Sequence, residues 1–304
     1  MPKRNAPGAR QWRPLCAKLI DRRRFLSSAM AAGVLTLAPR TSPADGEEVR
    51  FGLTPVFLSS DLELLTQLRT YLSGALQRPV TLVMRRTYQE ITALLLSGQL
   101  DAAWICGYPF IQFRDRLSLL AVPIWRGRPL YQSYLIVDHG READDILDLR
   151  DDIHAYSDPD SNSGYLVTQA ALAERGEGSN SFFRKSFFTY SHRNVVRAVA
   201  SGLAESGSVD GYVWEVMSEI EPELTGRTRI LRKSEWLGFP PVACARTLAG
   251  TARAAEIRAA LTAMAEVPAG RDVLHMLRLD GFTPGEPALF DGIAQKFDLV
   301  RSLG

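Results

Sequence analysis

Residues 157–164 (SDPDSNSG) set two aspartates, three serines, an asparagine and a glycine side by side, and an apolar, helix-like run (YLVTQAALAE) follows at once. Three chemistries use such residues. The first is a calcium loop. Asp158, Asp160 and Asn162 take positions one, three and five, but Ser163 stands where that loop needs Gly, and Gln169 takes the place of the closing Glu. The second is a nucleophilic serine turn, which requires Gly-x-Ser-x-Gly, and the first Gly is absent. Ser163, His192 and Asp210 follow one another along the chain, but chain order alone does not make a triad. The histidines at 139, 154, 192 and 275 show no metal-binding spacing. The third is a cradle for an anion, and it survives. Hydroxyls and an amide at a helix start cap N–H groups that have no intrahelical partner. Gly164 permits close backbone approach, and the helix N-terminus attracts phosphate, sulfate or carboxylate. A cap without any ligand is the other reading of this stretch taken alone.

The elements that would position these residues alternate along the chain. Val49–Leu53, Val80–Arg86 and Asp101–Ile105 read as strands. Helices open at the capping boxes Ser60-Asp61-Leu62-Glu63 and Thr87-Tyr88-Gln89-Glu90 and at Tyr108-Pro109. This alternation predicts α/β architecture with parallel sheets covered by helices. Leu96–Trp104 is echoed by Glu205–Trp214, a helix end, a Gly, an Asp and a strand, which predicts two similar lobes. Ligands of open α/β sheets sit beyond the carboxyl ends of the strands. There the sequence places Tyr88, Tyr108, Ser161, Asn162, Ser163, His192 and Tyr212, facing a cleft between the lobes.

Composition narrows the function classes. Residues 1–44 hold a basic segment, an apolar run from Phe25 to Ala38 and the small-residue end Ser42-Pro43-Ala44, the layout of a cleaved export signal. Arg22-Arg23 before Arg24-Phe25-Leu26 resembles a twin-arginine signal. An uncleaved membrane anchor is the competing reading. Without this leader the chain has 27 basic and 33 acidic residues, a balance of −6, and no basic stripe suited to nucleic acid. The expected location is the bacterial periplasm. Cys106 and Cys244 remain, one possible pair and no disulfide framework, and two buried free thiols are expected. About 260 mature residues suit two lobes. No signal for oligomerisation stands out, and a monomer is expected.

Asp158-Pro159-Asp160-Ser161-Asn162-Ser163-Gly164-Tyr165-Leu166-Val167 resembles the Asp-Pro-Asn-Ser-Thr-Ser-Gly-Phe-Leu-Val signature of phosphate-, phosphite- and phosphonate-type substrate-binding proteins of ABC transporters. Further blocks resemble the family in order: Tyr88 with Leu96–Asp101, Gly127–Tyr134, Ser191-His192, and Asp210–Glu215. The resemblance implies two doubly wound α/β lobes of the type 2 periplasmic-binding fold, residues 45–132 with 231–304 forming lobe 1 and 133–230 lobe 2. It implies a binding protein, neither enzyme nor cofactor carrier, that closes on a small anionic ligand. The implied ligand contacts are Tyr88, Tyr131, Ser161, Asn162, Ser163 and His192, with Tyr212 at the strand end and Glu215 matching a family glutamate at shifted spacing. The implied partner is a transporter permease, with a membrane histidine kinase as the alternative recipient and an exported enzyme as a reading without a catalytic set. One departure stands out. Where phosphonate binders carry an aspartate for the ligand's amine, this chain has Trp236-Leu237-Gly238-Phe239-Pro240-Pro241.

Overall fold

Val49, Phe51 and Leu53 turn one face of a strand into the core and form β1 (Val49–Leu53) in the computed structural model, which describes residues 48–55 and 62–303. The helix α1 (Leu62–Leu76) follows, burying Leu64, Leu68, Leu72 and Leu76 at helical spacing. Next come β2 (Val80–Met84), α2 (Tyr88–Leu96), β3 (Ala102–Trp104), α3 (Gly107–Gln112) and β4 (Leu117–Ile124). The chain passes through the short β5 (Leu130–Tyr131) to β6 (Ser133–Asp138), β7 (Ile153–Tyr156), α4 (Val167–Ala173), α5 (Ser179–Phe182) and β8 (Lys185–Phe188). It continues with α6 (His192–Ala200), β9 (Ser206–Asp210), α7 (Gly211–Ile220), α8 (Pro222–Thr225) and β10 (Thr228–Lys233). The return runs through β11 (Leu237–Gly238) to β12 (Val242–Ala245), α9 (Ala252–Thr262), α10 (Pro268–Leu277), β13 (Gly281–Thr283) and α11 (Asp291–Leu303). The capping box at Thr87 forms: its Oγ1 accepts from Glu90 N–H at 3.3 Å, and Glu90 Oε2 accepts from Thr87 N–H at 3.1 Å. The export segment and the start of the first capping box lie outside the described residues.

Two main sheets result. The first has the order β13-β4-β12-β3-β1-β2, the second β10-β6-β9-β7-β8, and β5 pairs with β11 where the chain crosses between them. Among the described residues parallel pairing is confined to β2-β1-β3 and β8-β7-β9. The crossings explain the rest. β12 enters from the second lobe with Val242 opposite Trp104, the end of β3, so it can only run antiparallel to β3. β6 enters with Ser133 opposite Asp210, the end of β9, and is antiparallel for the same reason. β10 stays in the second sheet as far as Lys233, so the return crossing follows Lys233 rather than residue 230.

The two lobes repeat one unit at a constant offset of 104 residues, from β1 at Val49 and β7 at Ile153 through α2 at Tyr88 and α6 at His192 to α3 at Gly107 and α7 at Gly211. Gly98 and Gly202 stop the second helix of each unit in the left-handed region, with φ of 71° and 74°. Asp101 and Glu205 then serve alike, each accepting at 2.7 Å from a backbone N–H of the neighbouring strand, Arg50 and Ile153 respectively. The echo seen in the sequence is therefore real but set five residues late. Glu205, not Asp210, is the counterpart of Asp101. Asp210 instead corresponds to Cys106, the residue before the helix that faces the other lobe.

Candidate functional site

The 104-residue offset places the helix starts of both lobes around one point. Tyr88 opens α2, His192 opens α6, and the turn after β7 carries residues 157–164 into a wide π turn (Asn162–Leu166) that continues as α4. Gly164 is required there, since a Cβ on it would lie 1.8 Å from Ser157 Oγ. The structure gathers six of the residues expected from the sequence, Tyr88, Tyr131, Ser161, Asn162, Ser163 and His192, each between 0% and 1% exposed. The lobes are closed over them.

Proton accounting fixes what these groups offer. The N–H of Asp210 donates to His192 Nδ1 at 3.0 Å. That nitrogen is therefore bare, Nε2 carries the proton, and Nε2 donates to Tyr88 Oη at 3.3 Å. Burial holds the His192 pKa down to about 3, so the ring is neutral. On the other side Asn162 Nδ2 donates to Tyr131 Oη at 2.8 Å. Each phenol oxygen thus receives a hydrogen bond, which leaves its own O–H to donate elsewhere. Burial raises both phenol pKa values, so these protons stay in place. Ser157 Oγ, Asn162 Oδ1, Ser163 Oγ and Asp210 Oδ2 are buried with no hydrogen-bond partner. Orphans of this kind are rare in a folded protein.

Sequence reasoning missed three members of the cluster. Asp158 accepts from Tyr88 N–H at 3.2 Å and from Asp160 N–H at 2.8 Å, tying lobe 1 to the turn. Burial lifts its pKa to about 6 despite these bonds. Cys106 Sγ accepts from Asn162 N–H at 3.1 Å, and burial pushes its thiol up to about 12. Cys106 and Cys244 are both free. Asp210 is the third, hidden because the sequence echo pairs it with Asp101. Its Oδ1 caps α7 through Tyr212 N–H at 2.9 Å and Val213 N–H at 3.3 Å. Burial raises its pKa to about 7. Ser163 Oγ lies close enough to the Asp210 carboxylate to ease its ionisation, yet outside hydrogen-bond geometry.

Tyr212 and Glu215 are held apart from the six. The Tyr212 hydroxyl donates to the carbonyl of Leu277 at 2.5 Å, and its ring packs edge-on to Phe239 and Trp125. Glu215 accepts from Tyr134 Oη at 2.8 Å and pairs with Arg126 at 3.1 Å and Lys233 at 3.6 Å. On this side of the cradle the acid next to Ser163 is Asp210, not Glu215. Tyr212, Glu215 and Glu219 share one face of α7 at helical spacing. All three reach residues of the first lobe, the last through Arg278 Nε at 2.8 Å. This face acts as a latch across the closed lobes. Partly exposed ion pairs contribute about 0.2–1 kcal/mol each, so Glu215→Gln with Glu219→Gln is expected to speed ligand release about threefold, more weakly at high salt; stopped-flow dissociation measures it.

None of the hydrogen bonds or ion pairs of the six-residue cluster involves Lys or Arg among the described residues. Arg126 is bound to Glu215, Arg85 to the carbonyl of Met84, and Arg128 lies over the Trp236 ring at 5.0 Å. Phe239 closes one side as a fully buried wall, its ring 5.5 Å from that of Tyr131. The wider concavities lie elsewhere: one of about 550 Å³ between Phe110, Arg246 and Pro287, and one of about 520 Å³ lined by Tyr156, Tyr165 and Phe188. No group of His, Cys, Asp and Glu suited to a metal ion is found among the described residues. No helix among them is long and apolar enough to cross a membrane.

Comparison with known proteins shows the family and the fold. Residues 51–290 match the model of the family described as ABC transporter, phosphonate, periplasmic substrate-binding protein. A binding-protein component of an ABC phosphonate transporter from Pseudomonas aeruginosa superposes with a TM-score of 0.77 at 18% identity, covering 84% of this chain and 87% of that one. PhnD1 from Prochlorococcus marinus, in complex with methylphosphonate, gives 0.74 at 18% identity over 84% of this chain and 98% of its own. The alkanesulfonate-binding protein SsuA from Xanthomonas axonopodis pv. citri, bound to MOPS, gives 0.59 at 17% identity over 84% and 93%. The fold is that of type 2 periplasmic binding proteins, and the chain belongs to the family of periplasmic substrate-binding proteins of phosphonate ABC transporters.

Proposed function

We propose that this protein captures a small oxyanion, of the phosphonate or phosphate kind, between its lobes and delivers it to a transporter permease. The observation that carries the reading is the enforced direction of two protons. Because His192 and Asn162 already donate to the phenol oxygens, the O–H protons of Tyr88 and Tyr131 are left for a further acceptor. Both lie in a buried cluster whose Ser157 and Ser163 hydroxyls lack partners. A buried cluster of neutral donors suits an oxyanion without the help of a cation.

Binding and closure are one event. Tyr88, in lobe 1, meets His192 and Asp158 of lobe 2, and the Cys106 thiol meets Asn162 of lobe 2. A ligand that accepts from both lobes favours the closed form over the open one, and hinge strands β5 and β11 allow the change. The permease would read that closed form. Charge-assisted hydrogen bonds contribute about 1.5–3 kcal/mol each, so four of them cover the roughly −8 kcal/mol of micromolar affinity. The protein acts as a monomer in the periplasm, exported through its twin-arginine leader, and does no chemistry on its ligand.

Calorimetric titration of the purified protein with methylphosphonate, phosphite and phosphate tests the reading. Micromolar or tighter binding of at least one is the expected result. Absence of both heat and thermal stabilisation with all three would overturn it.

A further inference from the structure

We infer that α11 is a strap across the closed lobes that sets how fast a bound ligand leaves. It is anchored on lobe 1, its last turns clasp lobe 2, and the lobes part only once those turns let go. The inference rests on the closure reading above and adds the element that controls release.

The 104-residue offset shows the place that α11 fills. Tyr212, the second residue of α7, reaches from lobe 2 into lobe 1, where its hydroxyl donates to the carbonyl of Leu277. Its counterpart at the second position of α3 is Tyr108. Tyr108 packs on Phe297 of α11, with ring centroids 5.7 Å apart. α11 in turn lies against α3 of lobe 1, against the π turn of the cradle and against α4 of lobe 2. Thus α7 crosses from lobe 2 to lobe 1, and α11 crosses from lobe 1 to lobe 2.

The residues along α11 decide which grip yields. Ile293 is fully buried, and a Cβ on Gly107, the first residue of α3, would lie 2.5 Å from its Cδ1. Just ahead of the helix, Phe290 is fully buried against the ring of Phe110 at 4.9 Å. Ile293 and Phe297 stand one turn apart on this face. Lys296 and Val300 form the neighbouring face. Lys296 pairs at 2.5 Å with the exposed Glu235, on the return crossing between β10 and β11, and shares a cavity of about 110 Å³ with Ser133 and Thr168. Val300, partly buried, lines the concavity of about 520 Å³ with Tyr156, Tyr165 and Gln169 of lobe 2. An ion pair open to water and one partly buried side chain hold less than sealed apolar packing. The last turns therefore leave lobe 2 while the first turns stay on lobe 1. Opening must break this grip as well as the ligand's own bonds, and a weakened grip shows in the rate of leaving.

Lys296→Gln combined with Val300→Glu removes the ion pair and sets a charge in the last turn, and neither residue belongs to the cradle. Stopped-flow dissociation of methylphosphonate from this variant is expected to be about tenfold faster than from the wild type. Val300→Ile, which keeps the apolar contact, should release at the wild-type rate. Unchanged release from the double variant overturns the inference. The two free cysteines supply a readout without ligand. Cys106 lies between the lobes, its Sγ accepting from Asn162 N–H, whereas Cys244 is fully buried in β12 of lobe 1. Alkylation followed at each cysteine by mass spectrometry should be about tenfold faster at Cys106 in the double variant, with Cys244 unchanged. Equal rates at Cys106 in both proteins overturn the inference, and so does faster reaction at both cysteines, which signals general loosening. If the wild type does not bind methylphosphonate, the oxyanion reading fails and alkylation decides on the strap by itself. Should the double variant fail to fold, a chain ending at Asp298 takes its place with the same expected results.

Discussion

Replacing Tyr88 and Tyr131 together by phenylalanine is expected to weaken methylphosphonate binding by at least 100-fold while leaving the lobes folded. Each hydroxyl offers one proton to the ligand, and loss of a hydrogen bond to a charged group costs about 1.5–3 kcal/mol. Two such losses amount to roughly 3–6 kcal/mol, and every 1.4 kcal/mol is tenfold in affinity. The rings remain, so the contact of Tyr131 with Phe239 and the burial of Tyr88 are kept. The cost to stability comes from the donors left behind, His192 Nε2 and Asn162 Nδ2, at about 1–3 kcal/mol for each buried group left unsatisfied. His192→Asn serves as the companion variant. Its amide oxygen can stand where Nδ1 accepts from Asp210 N–H, but nothing then reaches Tyr88. Stability should therefore survive better than affinity. Calorimetry with parallel thermal unfolding measures both. If the double phenylalanine variant binds methylphosphonate as the wild type does, the tyrosine protons do not serve the ligand, and the proton accounting fails as a reading of function.

The sequence carries the local parts of this site and not their assembly. Thr87 and Glu90 announce a helix start because a capping box is a local pattern, and the box forms as expected. Ser161 is legible in the same way, as a cap that accepts from Gly164 N–H at 3.0 Å. The π turn behind it is not legible, because nothing in residues 162–166 distinguishes it from an ordinary first turn. Antiparallel β6 and β12 escape for a different reason: their direction is set by where the chain re-enters each lobe, a fact about connection rather than composition. Asp210 is misplaced by the sequence because Gly-x-x-Asp can be matched by letters, whereas its apparent counterpart Asp101 belongs with the Glu of residues 202–205. The constant 104-residue offset of Thr87 and Ser191, Gly98 and Gly202, Gly107 and Gly211 is present in the sequence and corrects the pairing. His154 shows the limit of residue type as a signal. It lies as deep as His192, but both its nitrogens meet serine hydroxyls at 2.8 Å, and it belongs to the core of the second lobe.

A buried carboxylate without a cation should also be visible as a loss of stability. The native pKa of Asp210, about 7, lies above the ordinary aspartate value of 3.8, so the folded state binds the proton more tightly than the unfolded chain does. The stabilisation this proton brings is fully present below about pH 4 and is lost as the pH rises through 7. At about 1.4 kcal/mol for each pH unit separating the two values, the loss is on the order of 4 kcal/mol. Asp158, raised to about 6, acts in the same direction over a narrower window. His154 and His192, both held near 3, act in the opposite sense, since acid below about 6.5 must charge them on unfolding. The wild-type profile is therefore a sum of opposing slopes, and the difference between two proteins isolates one group. Asp210→Asn keeps the acceptor for Tyr212 and Val213 N–H and removes the charge. Without ligand it should match the wild type near pH 4 and exceed it by about 3–4 kcal/mol near pH 8 in urea unfolding. A constant difference across that range would mean that Asp210 is ionised throughout. The closed, cation-free surroundings of its carboxylate would then belong to a lobe arrangement that the ligand-free protein does not hold.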